Sequence, residues 1–270
     1  MNLLVLTNKP DKFEDFEGEF ENVEYHSLAD ISINSGTDPK VKLKDRNIKE
    51  DFDAVYLDPE PKASIYSRVL LEALQEESVN ANLKPNTFHI LTKKHYLFKV
   101  LKEKGAKIPN TIAVPSEKGL TSVEKNIKFP AVAKMYENFN RKDIAKIDDA
   151  DELQKFADRI EYGKNYLLTQ EYIDGAIFDI LYIDGTIISL KLEGEWEDKD
   201  VTRTYHTISA DQKEEIRKAA ESIGADICRA RIVDDTIVQM KPELNLEMFK
   251  KISGKSVFSK VAKVLKGDDD

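Results

Sequence analysis

A hairpin near the end of the sequence carries the side chains best suited to hold an anion. Residues Asp226 to Met240 read as two strands around Asp234-Asp235, with Arg231, Gln239 and Lys241 on or beside them. Side chains alternate faces along a strand, so Gln239 and Lys241 share one face, and Val238 and Met240 the other. A three-residue loop, Asp234-Asp235-Thr236, puts Val233 opposite Ile237 and brings Arg231 onto the Gln239 face. A two-residue loop would pair Arg231 with Val238 and turn it away. The three-residue register is the expectation. It lacks a loop glycine, but aspartate tolerates left-handed angles. Lysine and arginine so placed neutralise an anionic ligand without a metal. A charge facing a closed pocket must find a partner, so an anion or a Glu/Asp carboxylate is expected against them. Lys191 and Arg203 are further candidates for basic lining.

Other chemistries find little support. The four histidines (His26, His89, His95 and His206) show no paired ligand spacing. The single cysteine, Cys228, excludes an internal disulfide and a cysteine zinc site. No Ser-His-Asp or Cys-His arrangement is evident.

The chain has 270 residues, 41% of them hydrophobic, which favours two domains with real cores. Fifty acidic residues against 41 basic ones give a net charge of -9. That balance argues against nucleic acid as a partner and suits a protein kept soluble by self-repulsion. One cysteine fits a reducing cytosol, so a cytoplasmic location is expected. The apolar run Leu3 to Leu6 is too short for a signal or membrane segment, so no membrane partner is expected. Asp268 to Asp270 reads as a solvated tail.

The elements that must position these residues change character along the chain. Leu3 to Leu6 and Ala54 to Leu57 read as buried strands, and Ser64 to Leu74 as a helix, which suggests a small parallel α/β unit. Thr92 is expected to cap the following helix, which carries Leu97, Val100 and Leu101 and stops at Gly105. Phe129 to Met135 and Tyr166 to Ile173 read as strands around a helix over Asp151 to Ile160. Asp184-Gly185 then turns one hairpin, and Ser209 with Gln212 spells a capping box before a helix ending at Gly224. A last helix buries Val257, Val261, Val264 and Leu265. The back half is thus α+β, with an antiparallel sheet and covering helices.

This order resembles the RimK-like branch of the ATP-grasp superfamily. The resemblance rests on Lys94 in Thr92-Lys93-Lys94-His95-Tyr96 before Gly105 and Pro109, and on Phe129-Pro130-Ala131-Val132-Ala133-Lys134. It rests also on Leu168-Thr169-Gln170-Glu171-Tyr172-Ile173 and on Ile237-Val238-Gln239-Met240-Lys241-Pro242. It implies an α/β pre-domain over 1–86 and an ATP-grasp domain over 87–270. The latter would divide into a linking helical region (87–128) and subdomains at 129–173 and 174–270. It implies ATP as ligand, with Lys94 and Lys134 converging on the triphosphate. Gln170, Glu171, Tyr172 and Ile173 would form the adenine slot, with Glu171 and Ile173 offering backbone.

The departures matter as much. The phosphate-covering loop of the family is glycine-rich, whereas Met135 to Asp143 has no glycine and carries Tyr136, Asn138, Phe139 and Asn140. Either Arg141 and Lys142 contact phosphate by side chain instead, or the segment is an ordinary strand-to-strand loop. The family's magnesium ligands, an aspartate, a glutamate and an asparagine, fall on Arg231, Gln239 and Lys241, which argues against magnesium. Glu243-Leu244-Asn245 repeats the Glu-x-Asn spelling four residues late, after Pro242. An arginine of the family falls on Asp179 or Leu181. The expectation is a nucleotide- or anion-binding protein with weak or no ligase activity, alone, with a protein partner or as a homo-oligomer. The alternative is an active ADP-forming carboxylate–amine ligase that works through an acyl-phosphate.

Overall fold

The computed structural model describes residues 1–34, 40–137, 140–194 and 201–267. Asn138 and Phe139 of the glycine-free loop and the aspartates 268–270 lie outside the described residues. So does the side chain of Asn140.

The first sheet is parallel. It is built from β1 (Asn2–Leu6), β2 (Asn22–His26), β6 (Ala54–Leu57) and β7 (Asn80–Ala81), in the order β2-β1-β6-β7. Both central strands are apolar on both faces because both faces are covered. Between β2 and β6 the polar stretch folds as a small antiparallel sheet of β3 (Ile31–Asn34), β4 (Lys40–Leu43) and β5 (Arg46–Asn47), followed by the single turn α1 (Ile48–Asp51). Helix α2 (Ser64–Glu76) connects β6 to β7 and buries Leu70, Leu71 and Leu74.

Two helices follow, α3 (Pro85–Thr92) and α4 (Lys94–Glu103). Thr92 does not cap the second. Its hydroxyl donates back to the carbonyls of Phe88 and His89, 2.9 and 3.1 Å away, and so closes the first. The next sheet is antiparallel, with β8 (Thr111–Val114), β9 (Ala131–Glu137), β10 (Asn140–Ile147) and β11 (Asn165–Glu171) in the order β10-β9-β11-β8. Helices α5 (Leu120–Asn126) and α6 (Ala150–Ala157) cover one face, where Val123, Leu153 and Phe156 meet Ala131 and Leu167.

The last sheet has the order β14-β13-β12-β15-β16, from β12 (Ile177–Ile183), β13 (Thr186–Glu193), β14 (Thr202–Tyr205), β15 (Ile227–Val233) and β16 (Thr236–Lys241). The Asp184-Gly185 turn has φ of 40° and 75°, the two positive angles that a two-residue hairpin asks for. Helix α7 (Ala210–Ser222) starts with the reciprocal Ser209–Gln212 bonds and packs on one face of this sheet, with α4. Helices α8 (Leu246–Ser253) and α9 (Val257–Lys266) pack on the other face, between it and the first sheet.

The final hairpin corrects the expected register. Its loop has two residues, Asp234 and Asp235, because Val233 pairs with Thr236 and Ile232 with Ile237. A β-bulge then takes up Val238, and Arg231 faces Gln239 after all. The extra residue restores the alternation that a regular two-residue hairpin would have inverted. No helix among the described residues is long and apolar enough to cross a membrane.

Candidate functional site

The two larger antiparallel sheets meet at a cleft. Lys134 and Gln170 enter from the first of them, on neighbouring strands β9 and β11. Arg231, Val238 and Gln239 enter from the last, on β15 and β16. Val238 lines the same space as Gln239 because the bulge breaks the alternation. Val132, Ile144, Tyr172, Ile173 and Val233 make the walls apolar. Tyr172 and Ile173 lie just past the end of β11, and Lys146 sets its ammonium 4.4 Å from the centre of the Tyr172 ring. The N–H groups of Glu171 and Tyr172 donate to the carbonyls of Asn110 and Pro130. The N–H of Glu171 is thus already in use.

A second space opens beside this slot and shares Arg141 and Gln239 with it. It has a volume of about 360 Å³ and is lined by Lys94, Arg229, Lys241 and Glu243. The two cavities form one elongated cleft, apolar at one end and cationic at the other.

The lysines in it are buried and held by oxygen. Lys94 donates from Nζ to the carbonyls of Leu91 and Met240, each 2.6 Å away. Lys134 donates to the side-chain carbonyl of Gln170, whose amide donates to the Thr111 hydroxyl at 3.1 Å. Burial, then the neighbouring cations Lys241 and Arg229, lowers the Lys94 pKa to about 7, against the pull of Glu243. Burial, then Arg141, Lys94, Arg231 and Lys241, lowers that of Lys134 to about 7 as well. Lys241 is brought to about 8, again mainly by burial and by Arg229. Both expected lysines thus border one cleft, close enough to repel each other.

Arg231 does not stand free. Its guanidinium makes a two-pronged contact with Asp179, at 2.8 and 3.2 Å, directly across the β12–β15 ladder. Arg203 reaches the same carboxylate from β14 at 3.1 Å. Burial would raise the Asp179 pKa, but the hydrogen bonds and charges of Arg231 and Arg203 outweigh it and hold it below the ordinary value. The carboxylate partner expected for a charge facing a closed pocket is therefore Asp179.

Lys191 is not part of this group. It pairs with Phe178 and Thr204, on the face of β13 opposite Leu190, the partner of Asp179. Sequence reasoning missed Arg229, which faces Lys241 and shares the Arg231 face. The i, i+2 spacing to Arg231 was the available signal. Glu243, set aside because Pro242 ends the strand, does border the cleft, and its Oε2 is buried with no hydrogen-bond partner.

The hairpin that lines the cleft is mainly cationic, with Glu243 the carboxylate beside it. Magnesium takes hard oxygen ligands, whereas the β15–β16 ladder offers two arginines, an amide and a lysine. Among the described residues no group of three His, Cys, Asp or Glu side chains could hold a metal ion.

No protein-family model matches the sequence, and no curated protein matches it either. Solved structures do match. A RimK domain ATP-grasp protein from Sphaerobacter thermophilus DSM 20745 is similar at TM-score 0.76 and 14% identity, over 98% of this chain and 99% of its own. The ATP-grasp ligase PsnB, complexed with minimal precursor, Mg and ADP, is similar at 0.72 and 13%, over 98% and 96%. Macrocyclase MdnC, bound with precursor peptide MdnA from Microcystis aeruginosa MRC, is similar at 0.71 and 10%, over 99% and 100%. The chain has the ATP-grasp fold.

Proposed function

We propose that this ATP-grasp chain binds a nucleotide, or a similar polyanion with a flat apolar end, without a divalent metal, and has weak or no ligase activity. The observation that carries the reading is the replacement of oxygen ligands by cations. Arg231 and Gln239 face each other where the resemblance puts carboxylates, and Arg229 and Lys241 continue the same face. Lys94, Lys134, Gln170, Glu171, Tyr172 and Ile173 then hold the nucleotide, with Arg141, Gln239 and Lys241 at its anionic end. Arg203 contributes by fixing Asp179 and through it Arg231, not by touching the ligand.

The electrostatics support this arrangement. PsnB is complexed with minimal precursor, Mg and ADP, and a bound divalent metal in general offsets phosphate charge. In this chain the same task falls to fixed side chains, whose charged hydrogen bonds to phosphate are strong in a partly desolvated cleft. Phosphoryl transfer asks for more than neutralisation. Metal ions bridge the phosphate oxygens and offset charge as the bond breaks, which a set of lysines and arginines around Gln239 does not reproduce.

The test is calorimetric titration of ATP and ADP in excess chelator, repeated with magnesium. Binding of similar affinity in both conditions is expected, weakened roughly tenfold by Lys241→Gln, a loss of about 1.4 kcal/mol. Binding that requires magnesium, or ADP release on mixing with carboxylates and amines, would overturn the reading in favour of an active ligase.

A further inference from the structure

Helix α2 turns Leu70, Leu71 and Leu74 into the core. Its opposite face carries, among Arg68, Glu72 and Glu76, the apolar side chains of Ile65 and Val69, which a solvated helix face does not need. Ile65 is 77% exposed and Val69 42%, one turn apart, and Tyr66 stands beside them at 37%. Arg68, on the same face, donates to His89 on α3 at 2.8 Å, and the His89 ring lies 6.2 Å from that of Tyr96 on α4, itself exposed. Four of the five large exposed hydrophobics among the described residues thus gather on one surface. Scattered exposed leucines or valines are ordinary, but a gathered set marks a contact surface.

The charges along this face say what it would meet. Lys62 lies just before its start and Glu76 at its end, while Arg68 and Glu72 between them pair with each other at 2.9 Å. We propose that this face is the interface of a homodimer, in which the α2 helices of two copies pack antiparallel about a two-fold axis. A two-fold axis makes the contact self-complementary, so residue i meets j and j meets i. With the axis level with residue 67, Ile65 meets Val69 of the other copy and Lys62 meets Glu72. With the axis level with Val69, Val69 meets itself, Ile65 meets Ala73, and Lys62 meets Glu76. Both registers bury the apolar centre and put the cationic start of one helix on the acidic end of the other. A parallel pairing would set like charges together. The antiparallel arrangement also opposes the two helix dipoles. The inference is independent of what the cleft binds.

Sedimentation equilibrium of the full chain tests it, over a hundredfold range of concentration. A monomer–dimer equilibrium is expected, with the dissociation constant raised at least tenfold in Ile65→Asp and in Val69→Asp. Both positions are exposed, so thermal unfolding should show folded proteins. Lys62→Glu should weaken the dimer, and adding Arg68→Glu, Glu72→Lys and Glu76→Lys should restore it, since the fourfold exchange keeps the contacts across the axis and the Arg68–Glu72 pair and reverses only their sign. A monomer throughout, a dimer indifferent to Ile65→Asp, or a charge exchange that fails to restore association would each overturn the proposal.

Discussion

Replacing Asp179 by asparagine keeps the shape of the side chain and removes the charge that two arginines share. Asp179 is 5% exposed, whereas the Arg203 and Arg231 side chains keep 28% and 30%. Removing one member of a buried ion pair costs about 3–5 kcal/mol, because the remaining charge is left uncompensated. The partial exposure of both arginines lets water take up some of that charge, so about 3 kcal/mol is expected. For a chain of this size each kcal/mol moves the Tm by about 2–4 °C, giving a fall of about 6–12 °C in a thermal scan. A second readout separates lost charge from lost packing. The freed guanidinium groups should accept a sulfate, and tenfold excess over its Kd returns about 1.4 kcal/mol by mass action. Sulfate should therefore raise the Tm of Asp179→Asn more than that of the parent. The pair should also show its sign with pH. The folded pKa lies below the unfolded one, so its stabilisation is present at neutral pH and fades as pH falls below the ordinary aspartate range. The gap between the two proteins should narrow there. A fall under about 2 °C, or equal sulfate responses, would refute the view that Asp179 carries the charge balance of this wall.

Two further outcomes follow from the same geometry. Lys94 and Lys134 titrate near 7 when folded and near 10.4 when unfolded, so the unfolded chain binds more protons between those values and stability rises with pH across that window. Urea midpoints at pH 7 and pH 9 should show the rise, and Lys134→Met should diminish it; a flat profile in the parent would contradict the burial of these ammonium groups. Gly175 has φ of 149°, and a Cβ there would lie 2.3 Å from an Asp234 carboxylate oxygen, while that side chain accepts the Ala176 N–H at 3.0 Å. Gly175→Ala is expected to lose about 1–3 kcal/mol, measurable by urea unfolding, and an unchanged midpoint would count against this tie between β12 and the final hairpin.

What the sequence made legible was mostly local. The Ser209–Gln212 box and the Asp184-Gly185 turn depend on residues within three positions of one another. The facing of Arg231 and Gln239 was foreseen for a different reason than the one that holds. The bulge at Val238 has no glycine to mark it. Asp179 could not be matched to Arg231 from the sequence alone, because β12 and β15 become neighbours only after β13, β14 and α7 have been laid aside. Strand β2 was hidden for a simpler reason. Its residues are only partly buried, so no apolar run or clean alternation signals it. Helix α8 starts from Asn245 in a left-handed conformation (φ 54°), just after a proline that reads as an ending.

The position of α9 bears on how the chain folds as it is made. Phe258 sets its ring 4.9 Å from that of Phe16, edge to face, and Val257, Val261 and Leu265 share a core with Leu3, Val5 and Tyr56. Strands β1 and β6 therefore wait for α9, far further along the chain, before one of their faces is covered. Contacts that span nearly the whole chain close slowly, because the intervening loop must first give up its freedom. During that wait the open face of the first sheet is an apolar surface without its native cover, which is where a chaperone would bind and where crowded nascent chains would adhere to one another.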